Sequence, residues 1–196
     1  MDRDIFQTAM EGYTVYSCAD GLPAHYERYR KHAVLVDELD LQPERDRNCF
    51  IAIARSDIDW PFLVVVVGRI PKWPEQEIRP SALVVPEAHR LFIGLQERIL
   101  AYDIATPQRL WEDRNDADRE FWRWSRHGET VLMAAELELA AWDCSGRKRW
   151  STFVEPPWDY HIDQGMVHLT VLNTSVSFSL EHGPTWGDSL PWRDIR

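Results

Sequence analysis

Apolar residues in this chain fall in short runs bounded by glycine, proline, asparagine or aspartate, a pattern that predicts strands and tight turns. Three segments share one such pattern at a spacing of about forty residues. In the first, Leu91-Phe92-Ile93-Gly94 is followed by a charged turn at Gln96 to Arg98, then Ile99-Leu100-Ala101-Tyr102-Asp103, Thr106-Pro107 and Trp111. The second runs Val131-Leu132-Met133-Ala134, Glu136 to Glu138, Leu139-Ala140-Ala141-Trp142-Asp143, Ser145-Gly146 and Trp150. The third begins at Val167 and ends at Trp186. From first apolar residue to aromatic, Leu91 to Tyr102, Val131 to Trp142 and Val167 to Phe178, the offset is eleven each time. The third copy departs at its turn, where Ser179 replaces the aspartate and Glu181-His182-Gly183-Pro184 precedes Trp186.

Each copy reads as two strands around a tight turn, with one strand before and one after. The preceding strand is Phe121 to Trp124 in the second copy and Trp158 to Ile162 in the third. A four-stranded unit of about forty residues has the period of a propeller blade. The order aromatic-Asp, turn, Trp resembles quinoprotein-type β-propeller repeats, and more loosely WD repeats, over roughly residues 80 to 190. The resemblance implies that Trp111, Trp142, Trp150 and Trp186 are packing residues. It does not bring the dehydrogenase activity: three units do not close a ring of four to eight blades, and Cys18, Cys49 and Cys144 include no adjacent pair. No cofactor is expected. The fold class is therefore all-β, with three four-stranded propeller-like antiparallel units in an incomplete array, left open or completed by a second copy, after an extra N-terminal β segment.

That N-terminal segment, residues 1 to 75, is non-repeating. Strands are predicted at Gly12 to Cys18, Ala33 to Val36, Cys49 to Ala54 and Phe62 to Ile70, while Ala24 to Lys31 fits a helical turn or a polar strand. Pro71, Pro74 and Pro80 mark either a boundary before the repeat region of residues 76 to 196 or a long loop within one continuous domain. The longest apolar run, Phe62 to Val67, is a buried strand rather than a membrane span, which needs about 20 residues. The amino terminus lacks the basic and apolar regions of a signal peptide, and the three cysteines do not suggest a disulfide framework. The expectation is a reduced, cytoplasmic protein.

Chemistry-bearing residues are sparse. There is no G-x-S-x-G elbow and no glycine-rich phosphate loop. Cys144 at a blade turn reads as a turn position, with an exposed thiol as the functional alternative. His161 and Asp163 share a strand face, and His168 on the next strand could join them as an acid/base or metal set. Alternation does not guarantee that His168 points the same way, so no metal is expected. Eight of ten tryptophans lie in the last 86 residues. Trp122, Trp124 and Trp158 are the ones least tied to the repeat, and they are candidates for a binding groove.

Charge narrows the partners. With 22 Lys+Arg against 32 Asp+Glu, the net charge is -10, which disfavours nucleic acid. Acidic density peaks at Asp37, Glu38 and Asp40 and continues through Glu44 and Asp46, with a second group at Glu112, Asp113, Asp116, Asp118 and Glu120. These are solvated loops or a surface that attracts a basic protein. The reading is a non-catalytic protein-interaction module with a protein partner, basic if the acidic surface is the interface. It needs no nucleic acid or membrane, and a homodimer is compatible with it. Its sharpest form is a toxin-neutralising immunity or adaptor role. The alternative is a hydrolase or sugar-processing protein using a Trp-rich groove with His161 and Asp163.

Overall fold

The computed structural model describes residues 5–19, 21–41, 48–57, 62–69, 81–95, 98–114 and 121–185. The chain forms two compact units, Met1–Asp113 and Arg114–Arg196.

In the first unit, β1 (Phe6–Met10), β2 (Tyr13–Cys18), β3 (Leu35–Leu39), β4 (Asn48–Arg55) and β5 (Val64–Arg69) build an N-terminal sheet in the order β1-β2-β4-β5-β3. Only the β3–β5 pair is parallel. The undecided segment forms helix α1 (Tyr26–His32). Tyr26 and Tyr29, three residues apart, turn to one face: Tyr26 meets Phe50 edge-on, while Tyr29 stacks on Phe50 at 5.4 Å and meets Phe62 edge-on at 5.2 Å. Arg30, Lys31 and His32 occupy the last turn, where the helix dipole favours them. With α1 on one face and a second sheet on the other, β4 is buried from Asn48 to Ala54.

The second sheet of this unit is the first repeat: β6 (Ser81–Val85), β7 (Arg90–Leu95), β8 (Arg98–Asp103) and β9 (Gln108–Arg114), in chain order. Val15, Ile51, Ile53 and Val66 pack against Leu91, Ile93, Leu100 and Tyr102 in a shared core.

In the second unit, β10 (Phe121–His127), β11 (Thr130–Ala135), β12 (Glu138–Asp143) and β13 (Lys148–Phe153) form the second repeat sheet. β14 (Trp158–Asp163), β15 (Met166–Val171) and β16 (Thr174–Ser179) form the third. Three strands, not four, are seen there among the described residues; Trp186 lies outside them. The two sheets bury Leu132, Ala134, Leu139 and Ala141 against Val167, Leu169, Val171 and Phe178. Trp150 completes this core: its ring meets Phe178 edge-on at 5.4 Å and its indole N–H donates to the Leu180 carbonyl at 2.8 Å.

The eleven-residue offset now has a cause. Leu91 pairs with Tyr102, Val131 with Trp142, and Val167 with Phe178, each directly across a hairpin. All three hairpins thus turn at the same place in the repeat. The fold is mostly β with four-stranded antiparallel sheets, none closed, as the pattern predicts.

Candidate interaction site

On β10, Phe121 pairs with Ala135 and Arg123 with Ala134, so Trp122 is the extra residue of a β-bulge. A bulge re-aims side chains, and here Trp122 and Arg123 both reach β14. The Trp122 ring stacks on Trp158 with centroids 5.0 Å apart and planes 18° apart, and Trp158 stacks in turn on Tyr160 at 6.1 Å. Arg123 lies over the Tyr160 ring, 5.2 Å from its centroid, while Ser125 Oγ hydrogen-bonds the Tyr160 hydroxyl at 3.0 Å. Trp158 is buried, its N–H donating to the Glu136 carbonyl at 2.8 Å. Trp122 remains 43% exposed. The result is an aromatic step, anchored at Trp158 and open at Trp122, with a guanidinium beside it. At the end of β10, partial burial and then the charge of Arg123 hold His127 below the ordinary imidazole range.

Trp124 lies elsewhere. It is buried between Phe121 and Trp142, 5.5 Å from each ring centroid, and is a packing residue.

The acidic residues of β3 are engaged within the first unit. Asp37 accepts a hydrogen bond from the Tyr102 hydroxyl at 2.9 Å and pairs with Arg109 at 3.2 Å. Burial, then the Asp37 charge, raises the Tyr102 hydroxyl well above its ordinary range. Glu38 accepts from the Tyr26 hydroxyl at 2.6 Å and pairs with Arg30 at 2.9 Å. Asp40 pairs with Arg98, which also holds Glu112 at 2.8 Å. Glu112 in turn meets Arg109 at 3.2 Å. These carboxylates tie β3 and the Asp40 that follows it to α1, β8 and β9, while Glu38 and Asp40 remain exposed. Glu44 and Asp46 lie outside the described residues, as do Asp116, Asp118 and Glu120.

Strand alternation separates the groups of the enzymatic alternative. Trp158, Tyr160 and Ile162 face the core of the second unit, so His161 and Asp163 project from the opposite, exposed face of β14. His168 is their neighbour after all: it pairs directly with His161, and the two rings stack at 4.7 Å with planes 15° apart. Among the described residues, no group of three or more His, Cys, Asp or Glu side chains is disposed to hold a metal ion. The cysteines are all buried, Cys144 included, which removes the exposed-thiol reading, and burial pushes the Cys49 thiol up to about 12. No helix among the described residues is long and apolar enough to cross a membrane.

No protein-family model matches the chain, and no curated protein matches it. Among solved structures, it is similar to BamB from Moraxella catarrhalis, with 15% identity and a TM-score of 0.39 over 93% of this chain and 71% of that one. It is similar to BBS1N, solved in complex with ARL6DN, with 11% identity and a TM-score of 0.39 over 90% of this chain and 53% of that one. A third is Hsv2 from Kluyvelomyces marxianus, with 9% identity and a TM-score of 0.35 over 67% of this chain and 47% of that one. The chain spans about half the length of the BBS1N and Hsv2 structures. BamB and BBS1N are β-propeller-type proteins. The assignment of propeller-like repeats rests on the shared register of the three hairpins.

Proposed function

We propose that this chain is a protein-interaction module without catalytic function, and that it engages its partner through the aromatic step at Trp122. The carrying observation is the exposure of Trp122 on a bulge, stacked on a buried Trp158 and flanked by Arg123. Trp, Tyr and Arg are the residues that concentrate binding energy at interfaces, above all where a rigid neighbour holds them in place. The net charge of -10 adds a long-range preference for basic partners, although Asp37, Glu38 and Asp40 have their nearest attractions inside the fold. An immunity or adaptor role, cytoplasmic in location, is the specific form we favour. BBS1N, itself in complex with ARL6DN, is a precedent for partner binding by a propeller-type protein.

The test is a quantitative capture from the native host with the wild-type chain and the Trp122→Ala variant as paired baits. A protein held by wild type should be recovered at least tenfold less by the variant, with both baits melting at the same temperature, as a loss of about 1.4 kcal/mol or more requires. Equal recovery of every specific prey by the two baits would remove Trp122 from the interface and this reading with it.

A further inference from the structure

The outward face of the third repeat sheet is polar. By alternation it carries Asp159, His161 and Asp163 from β14, His168 and Thr170 from β15, and Ser175 and Ser177 from β16. No lysine or arginine stands among these positions. Two features set the histidines apart. They are directly opposed across the β14–β15 ladder with rings 4.7 Å apart, and His168 Nδ1 is hydrogen-bonded to Ser177 Oγ at 2.8 Å. A bond at Nδ1 fixes the ring's orientation, and in the tautomer where Nδ1–H donates to Ser177 Oγ it leaves Nε2 for a ligand, which is how metal-binding histidines are held.

We propose that His161 and His168 form a two-histidine surface site for a divalent transition metal, with copper(II) preferred. Two nitrogens bound at about 2.0–2.1 Å to one ion sit roughly 3 Å apart. The opposed rings stack with centroids 4.7 Å apart, and because the torsion about an imidazole's Cβ–Cγ bond is broad, a swing of the exposed His161 ring brings its nitrogen towards one shared ion with that of His168. Asp159 and Asp163, each two residues from His161 on the same strand face, lie about 7 Å along the strand and supply a favourable negative field. Imidazole ligation with open remaining positions follows the order that places copper(II) above nickel(II) and zinc(II). With only two protein ligands, the other coordination positions are left to water or to a side chain of a partner, so the site adds a metal-dependent contact to the molecule and not a catalytic centre. It stands independently of the role given to Trp122, on the opposite face of β14.

The direct experiment titrates the untagged, chelator-stripped full chain with copper(II) and, separately, zinc(II) by calorimetry at pH 7.5. One equivalent of copper(II) should bind, more tightly than zinc(II). His161→Gln and His168→Gln should each weaken copper binding at least tenfold, while His182→Gln leaves it unchanged. Electron paramagnetic resonance of the wild-type copper complex should show two nitrogen ligands, a readout that does not depend on how well a variant folds. Copper bound equally by the two glutamine variants, or a spectrum with fewer than two nitrogens, would overturn the site.

Discussion

Asp103, Asp143 and Ser179 occupy one position of the repeat and close their turns in the same way. Asp103 Oδ1 accepts from the Ala105 and Thr106 amides, both at 2.9 Å, and Asp143 Oδ1 accepts from the Ser145 and Arg147 amides at 3.0 and 2.9 Å. Ser179 Oγ accepts from the Glu181 and His182 amides, both at 3.2 Å. A side-chain oxygen satisfying two amides of a turn is what the position requires, and a hydroxyl meets that need more weakly than a carboxylate. Read as letters, the serine looks like a lost aspartate; read as an acceptor, it is a conserved geometry within the chain. Asp143→Ala should therefore cost about 1–2 kcal/mol in a denaturant melt, and Asp143→Ser less than half of that. Both aspartates are held below the usual carboxylate range: Asp103 by the Thr106 amide foremost, Asp143 against the upward pull of its burial by the Ser145 hydroxyl, then the Arg147 amide and charge. Groups depressed in the folded state stabilise above their unfolded pKa, near 3.9, and lose that contribution as pH falls further. Replacing both by asparagine should flatten the stability profile below about pH 4, leaving neutral pH the place where wild type gains most. At Gly183, φ is +72° and an added Cβ would overlap the Trp150 ring. Gly183→Ala should lower stability by about 2–4 kcal/mol, from the left-handed backbone and the clash together.

At the scale of elements, hairpins were legible because a period-two pattern and a turn position leave a count in the sequence. Strands exposed on most positions leave none: β1 has only Met10 short of full exposure and no alternation to betray it. The bulge on β10 is equally silent in the letters, because Phe121-Trp122-Arg123-Trp124 reads as an unbroken strand; only the pairing to β11 shows that Trp122 is extra. Helix α1 was ambiguous over so few residues until Phe50 and Phe62 supplied the surface for Tyr26 and Tyr29. For β3, the sequence shows acids but not the Arg30, Arg98 and Arg109 that meet them from distant segments. Charge reversal tests that difference. If Asp37, Glu38 and Asp40 were solvated, Lys at all three would change stability by no more than about 0.5 kcal/mol. With the side chains of Asp37 17%, Glu38 29% and Asp40 65% exposed, and all three paired, the triple variant should instead lose more than about 1 kcal/mol, most of it at Asp37. A melt within about 0.5 kcal/mol of wild type would return these residues to the role of a free acidic surface.

Over the whole molecule, the first and last sheets of the chain differ in what covers them within their own units. The N-terminal sheet carries α1 with Tyr26, Leu22 and Phe62 on its far face, and the third repeat sheet presents Asp159, His161, Asp163, Ser175 and Ser177 to solvent. The sequence carried the repeat and its packing tryptophans because both depend on local spacing; it did not carry which tryptophan is exposed, because that depends on the bulge and on the β14 neighbour. Within the repeat, Trp150 and Trp111 differ in the same way: Trp150 is buried between two sheets, and Trp111, 6.2 Å from Phe92, is only partly covered. In the second unit, the propeller-like repeats are held sheet to sheet by Trp150. Equilibrium denaturation of Trp150→Ala is the test: a tryptophan packed against Phe178 and hydrogen-bonded to Leu180 predicts a loss of about 3–5 kcal/mol, with a smaller loss for Trp111→Ala. A loss under about 1 kcal/mol for Trp150→Ala would contradict it, since surface substitutions rarely exceed that and a docked tryptophan cannot behave as one.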